Sequence, residues 1–213
     1  MILIKIGGSC LHYPQLLAQE CKILSEINEV VLVPGGGPFA DVVREQAEYF
    51  KIQDDEAHWM AVLAMNQFGY LLSKMVGNSH LCETIGEIKV VRESSPVIWL
   101  PYLEMKKRDP LPHTWDVTSD SITAWMSTQL GTSYFVKVTA FEEQLPPVTV
   151  TGDTLLKQTR LIDPHLPEYL NKFNIECHVL CMKTISTHSD YYRGKCPPDM
   201  VIKPEKVERM GKL

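Results

Sequence analysis

The sequence predicts an α/β fold in three layers, a mainly parallel central sheet with helices on both faces. Short apolar runs of strand length alternate with longer stretches whose apolar residues recur at helical spacing. Two of these runs near the N-terminus end in glycine-rich turns that lead onward into the next element. The chain has 213 residues, 45% of them hydrophobic and 22% charged, enough to bury one sizeable core. We therefore expect a single domain over residues 1–213.

The elements follow in order. The first strand, Ile2-Leu3-Ile4-Lys5-Ile6, meets the turn Gly7-Gly8-Ser9. Residues 14–27 carry Leu16, Leu17, Cys21, Leu24 and Ile27 at helical spacing. A second strand, Val30-Val31-Leu32-Val33, runs into Pro34-Gly35-Gly36-Gly37-Pro38, and a helix over residues 38–50 leaves that turn. A long amphipathic helix is expected over residues 54–76, with acidic residues at its start and Gly77 as its C-cap. Strands are expected at 87–92 and 96–100, and residues 101–117, with Pro101, Pro110 and Pro112, read as a loop over a site. Thr118-Ser119-Asp120-Ser121 begins a capped helix that Gly131 ends. A strand over 133–138 carries Lys137. A helix after Pro164, a strand over 175–180 and a short strand near 200–202 complete the chain.

A net charge of −5 and a pI near 5.8 argue against nucleic acid or an anionic membrane as the main partner. No stretch of about 18 apolar residues exists to span a membrane, and the chain enters a strand at once, so a cytoplasmic protein is expected. The six cysteines, without a C-x-x-C pair, suggest neither a disulfide framework nor a zinc site, and no residue is assigned as a metal ligand.

The two glycine turns carry the chemistry. Backbone amides with no Cβ in the way can wrap an anionic oxygen closely, and a following helix N-terminus adds a favourable dipole. Gly7, Gly8 and Ser9 with Gly35, Gly36 and Gly37 therefore read as phosphate-binding loops. Lys5 lies in an otherwise apolar strand, where a charge is costly unless it reaches a partner. The spacing fits neither the Walker pattern nor G-x-G-x-x-G, so the phosphate chemistry is of another type. In a parallel sheet, ligands gather beyond the carboxyl ends of the strands, where Lys5, Asp120 and Lys137 can converge.

Several residues keep two readings. Asp120 either caps its helix or holds Lys5 and a second lysine in register without being a base. Lys137 is either an edge-strand gatekeeper or part of the site. His58, beside Trp59 in the long helix, either faces solvent or faces the second glycine loop. His113, Trp115 and Asp116 cluster ahead of the capped helix and could line an acceptor pocket suited to a cationic or planar ligand.

Three segments together resemble the amino acid kinase superfamily: Lys5-Ile6-Gly7-Gly8-Ser9, Pro34-Gly35-Gly36-Gly37 with Phe39-Ala40-Asp41-Val42-Val43-Arg44, and Thr118-Ser119-Asp120-Ser121. Within it, His113-Thr114-Trp115-Asp116-Val117 ahead of the third segment is most similar to the kinases of methanofuran biosynthesis. The resemblance implies ATP and Mg2+, a small-molecule phosphate acceptor, and a homodimer or higher homo-oligomer. It implies that Lys5 contacts the transferred phosphoryl group, that the glycine loops hold phosphates, and that Asp120 orients the catalytic lysines. His58, Trp115, Asp116, Thr118 and Ser119 would then bind the acceptor, with residues 1–117 forming the mainly acceptor-binding half. Lys137, Thr139 and Asp163 would serve the nucleotide, in a half comprising residues 118–213. The family's nucleotide loop is altered here, reading Thr139-Ala140-Phe141-Glu142-Glu143. A nucleoside monophosphate kinase of the uridylate type and a non-catalytic oxyanion binder of the same fold are the competing readings.

Overall fold

The computed structural model describes residues 1–140, 149–151 and 161–205. Its eight strands form one sheet in the order β3-β4-β2-β1-β5-β7-β8-β6. They are β1 (Ile2–Ile6), β2 (Val30–Pro34), β3 (His80–Cys82), β4 (Val97–Trp99), β5 (Tyr134–Thr139), β6 (Thr149–Thr151), β7 (Glu176–Cys181) and β8 (Met200–Lys203). Neighbouring strands are parallel except β7 and β8, which run antiparallel. The central strands β1, β2 and β5 are buried along almost their whole length, as a sheet covered on both faces requires.

The helices among the described residues are α1 (Pro14–Leu24), α2 (Gly37–Phe50), α3 (Asp54–Val76), α4 (Ile85–Val91), α5 (Tyr102–Arg108), α6 (Ser119–Leu130), α7 (Leu166–Phe173) and α8 (Ile185–Tyr192). On one face, Ile4, Ile6, Leu32 and Val138 of the sheet pack with Leu17, Cys21 and Leu24 of α1, Tyr192 of α8, and Phe68 and Leu72 of α3. On the other, Leu3, Val33 and Phe135 pack with Trp125 of α6, Leu170 of α7, Met105 of α5 and Ile88 of α4, and α3 adds Val62 and Met65. Side chains alternate along a strand. Lys5 therefore shares the face of Leu3, and Lys137 the face of Phe135. That is the face α6 covers.

The structure bears out the three-layer, mainly parallel fold and corrects three local expectations. Residues 87–92 are not a strand: Ile85 and Ile88 bury one side of α4, and Thr84 and Glu87 close a reciprocal capping box at its start. The run Ile88-Lys89-Val90-Val91 resembles a strand in composition, but the cap and the i, i+3 burial decide for a helix. The strand in this region is the three-residue β3, ahead of α4. Residues 101–117 are not all loop, because α5 follows Pro101 and stops where Asp109 turns left-handed at φ 46°. The first helix ends at Leu24 rather than at Ile27.

Candidate active site

Three buried charges form the centre of the site. Lys5 and Lys137 are register partners on β1 and β5, so strand pairing alone sets their side chains next to each other. Asp120, in the first turn of α6, reaches down between them. Its Oδ1 lies 2.9 Å from Lys5 Nζ and its Oδ2 2.5 Å from Lys137 Nζ. Lys137 also donates to the Leu161 carbonyl at 2.6 Å, whereas among the described residues Lys5 pairs with Asp120 alone.

Their protonation follows from this arrangement. Burial by itself would raise the Asp120 pKa, but Lys137 and Lys5 together hold it well below the usual carboxylate range. Burial would lower Lys5, and Asp120 outweighs it, so its pKa lies above the ordinary lysine value. Burial lowers Lys137, with the Lys5 charge adding to it against the pull of Asp120. Two ammonium groups share the single carboxylate of Asp120, and the Asp163 carboxylate, also buried, acts on Lys5 from beyond it.

The sequence left Asp120 open between cap and organiser, and the structure places its carboxylate between the two lysines. The cap of α6 is Thr118, whose hydroxyl accepts from the Asp120 amide at 3.2 Å. Asp163 does the remaining capping: its carboxylate accepts from the Thr118 amide and hydroxyl, the Ser121 amide and hydroxyl, and the Leu166 amide, all within 3.0 Å. The Asp163 amide in turn donates to Asp120 Oδ2 at 3.3 Å. Asp163, expected on the nucleotide side, is thus placed where it joins the start of α7 to the start of α6 and supports Asp120 from behind.

The glycine turns interlock backbone to backbone. A Cβ on Gly8 would sit 2.2 Å from the Gly37 amide nitrogen, and one on Gly35 would sit 2.6 Å from that of Gly8. The Gly7 and Gly35 amides are committed to the sheet edge, donating to Val138 and Ile6 carbonyls at 2.8 Å each. Their part is to bring the loops together. Gly8 and Ser9 begin a short 3-10 helix, Gly8–His12, and Gly36 and Gly37 begin α2. In a first helical turn the N–H groups have no carbonyl of their own helix and can face an anion. Ser9 Oγ also accepts from the Ala140 amide at 3.3 Å and lies 3.5 Å from Thr139 Oγ1, tying this loop to the end of β5.

Above the loops opens a cavity of about 340 Å³. Gly8, Ser9, Gly36, Gly37, His58, Trp115, Thr118 and Ser119, all expected at the site, line it. Asp116 is exposed and does not line it, while Thr139 is buried at the strand end below. Phe141, Glu142 and Glu143 of the altered loop lie outside the described residues. The sequence reading did not assign Arg44, Asp41 or His12, which also line the cavity. Gly37, Ala40, Asp41 and Arg44 recur at i, i+3, i+4 and i+7, so the face of α2 that continues the glycine loop carried the signal. Arg44 lies over the Trp115 ring, 5.0 Å from its centroid, and pairs with Asp41 at 2.8 Å.

Comparison with known proteins identifies this arrangement. The model of the amino acid kinase family matches residues 1–140, the stretch that holds Lys5, both glycine loops, Asp120 and Lys137. The chain belongs to the amino acid kinase family. A [5-(aminomethyl)furan-3-yl]methyl phosphate kinase of Methanocaldococcus jannaschii is 24% identical over 204 residues, covering 92% of this chain and 94% of its own. Among solved structures, uridylate kinase of Archaeoglobus fulgidus superimposes with a TM-score of 0.68 at 14% identity, over 95% of this chain and all of its own. UMP kinase of Bacillus anthracis gives 0.69 at 14% identity, over 96% of both chains. The UMP kinase of Ureaplasma parvum gives 0.67 at 17%, over 95% of this chain and 98% of its own.

As a kinase of this family, the chain needs little from its residues beyond positioning and neutralisation of phosphate oxygens. His58 fits that role better than the role of a base. It is 7% exposed, its Nε2 has no hydrogen-bond partner among the described residues, and burial together with the His113 charge lowers its pKa to about 4. At neutral pH it is an uncharged imidazole in the cavity wall.

Proposed function

We propose that the protein transfers the γ-phosphoryl group of ATP to the phosphate of [5-(aminomethyl)furan-3-yl]methyl phosphate, forming the diphosphate and ADP. One acceptor phosphate oxygen bonds to Pγ as the bond from Pγ to the bridging oxygen of ADP breaks. The observation that carries this reading is the pairing of two buried lysines, Lys5 and Lys137 held on Asp120, with a cavity whose wall offers Arg44 and the glycine-loop backbones. A phosphate monoester has its second pKa near 6 and arrives largely ionised at neutral pH, so it needs cationic clamps rather than proton removal. The relative from M. jannaschii supports the choice of acceptor.

In this reading residues 1–117 form the acceptor half and 118–213 the nucleotide half. All but three of the cavity's residues, Thr118, Ser119 and Ile122, precede residue 118, which supports the division. The residues fit a polyphosphate: the loop backbones approach more closely than any Cβ allows, and two buried lysines stand level on the adjacent strands β1 and β5. Mg2+, which the kinase family implies, would be held by the phosphates. It would screen charge between donor and acceptor. No helix of the described residues is long and apolar enough to cross a membrane. Leu63, Tyr70 and Leu71 are exposed on α3 and support a homodimer through that helix, which Tyr70→Glu would dissociate in a sedimentation experiment.

The test is a panel of phosphate monoesters with ATP and Mg2+, read as ADP formed. Preference for the furan phosphate is expected. Turnover of uridylate with none of the furan phosphate would replace this reading by a nucleoside monophosphate kinase.

A further inference from the structure

His113 lies outside the machinery described so far, in the segment between α5 and α6. Its Nδ1 is 2.8 Å from Asp55 Oδ1 at the start of α3, and its Nε2 is 2.7 Å from Asp109 Oδ1 at the end of α5. One ring therefore ties three elements together. Its face lies on the ring of His58, with centroids 4.4 Å apart and planes 17° from parallel, and its edge meets Trp59 at 4.9 Å. Two and four residues further on, Trp115 and Val117 line the cavity. Hydrogen bonding at both nitrogens, to two carboxylates, is the pattern of an imidazolium.

We propose that His113 is a positioning residue for the acceptor: clamped between Asp55 and Asp109, it fixes the stacked ring of His58, whose buried, unpartnered Nε2 hydrogen-bonds the bound phosphate monoester. This rests on the reading of the cavity as the acceptor site. A buried polar atom left without a partner is costly, and ligand binding relieves that cost. The clamp makes that nitrogen's position independent of the ligand. It also anchors the segment that carries Trp115, on which Arg44 stacks. The charged and titratable groups around His113 are Asp55, Glu56 and His58 from α3, with Lys106 and Asp109 from α5 and its end. Burial opposes the His113 charge, but the bonds to Asp109 and Asp55 outweigh it and raise its pKa. With both carboxylates ionised, the clamp is therefore complete below the ordinary histidine value and is lost as pH rises through the raised one.

His113→Phe keeps a ring on His58 and removes both hands of the clamp. Its KM for the acceptor should rise about tenfold, the scale of one hydrogen bond, with kcat and the KM for ATP nearly unchanged. In the wild type, the acceptor KM should climb on the alkaline side, and in His113→Phe this limb should vanish. Asp109→Asn and Asp55→Asn alter exposed carboxylates and should each give part of the effect, so a His113→Phe that fails to fold leaves the question answerable. The acceptor is whichever monoester turns over, so a uridylate preference defeats the furan reading and not this one. If none turns over, imidazole NMR decides: the His58 resonances should shift in His113→Phe and respond to pH from nearer the ordinary range. An unchanged acceptor KM with an unchanged pH profile, unchanged His58 resonances, or an equal loss in the KM for ATP would overturn the proposal.

Discussion

Lys5 and Lys137 stand level with each other on adjacent parallel strands, and the two oxygens of Asp120 are divided between them. Two like charges on neighbouring strands of a buried face repel unless something intervenes. Here the intervening group comes from α6, at a turn that Thr118 and Asp163 fix in place. The capping of one helix is therefore coupled to the spacing of two cations on the sheet.

Asp120→Asn should remove that coupling. From sequence alone the effect is expected mainly on turnover, but the burial of all three charges adds a stability cost. Removing one partner of a buried ion pair costs about 3–5 kcal/mol, because the remaining charges are left uncompensated. Turnover and melting temperature should therefore fall together. The lowered Asp120 pKa gives stability that is present above its unfolded value and lost only as pH falls through the lower folded value. Acid titration of the two proteins by circular dichroism should show the wild type holding its fold into more acidic solution than the variant, and coincident curves would contradict the coupling.

Arg44→Ala should weaken acceptor binding by about tenfold or more, since a charge-assisted bond to phosphate contributes roughly 1.5–3 kcal/mol. Calorimetric titration with the acceptor and the non-reacting enzyme without ATP isolates this step. Arg44→Lys should recover only part of the loss, because an ammonium does not reproduce a planar group stacked on Trp115.

A second buried network concerns stability alone. Glu20 accepts from Tyr192 at 2.5 Å and lies 2.6 Å from His188 Nδ1, while His188 Nε2 donates to the Cys181 carbonyl at 3.0 Å, joining α1 to α8. Burial would lower the His188 pKa, but its bond to Glu20 overrides this and raises it. The raised value means that this stabilisation is complete below the unfolded pKa of about 6.5 and fades as pH rises through the folded one. Thermal melts from pH 6 to 9 should show a decline in the wild type, and His188→Gln should be less stable at pH 6 with a flatter profile. Equal slopes would show that His188 does not carry this dependence.

The parts of the site that strand pattern controls were legible in the sequence. Lys5 and Lys137 are lone charges in apolar strands, and a charge there demands a partner. The glycine loops were legible too, though the interlocking of Gly8 with Gly37 is a contact between distant segments that no local pattern encodes. Asp163 was less so: it reads as the start of a helix, and only the fold shows that its carboxylate closes another helix as well. Arg44 was hidden because an arginine on an amphipathic helix ordinarily faces solvent, and Trp115 becomes its neighbour only through packing. Residues 87–92 misled because β-branched composition competed with a capping box.

The most direct measurement is 31P NMR of a reaction containing the wild type, ATP, Mg2+ and the furan monophosphate, followed by the same reaction with Lys5→Ala. Paired phosphoanhydride signals from a new diphosphate should grow as the acceptor monoester signal falls, one for each ADP formed. Lys5→Ala should fold normally and slow their appearance by about a hundredfold to a thousandfold, the scale of losing a group that stabilises developing charge. Release of ADP with inorganic phosphate and no diphosphate, or an undiminished rate in a folded Lys5→Ala, would contradict phosphoryl transfer over the Lys5, Asp120 and Lys137 cluster.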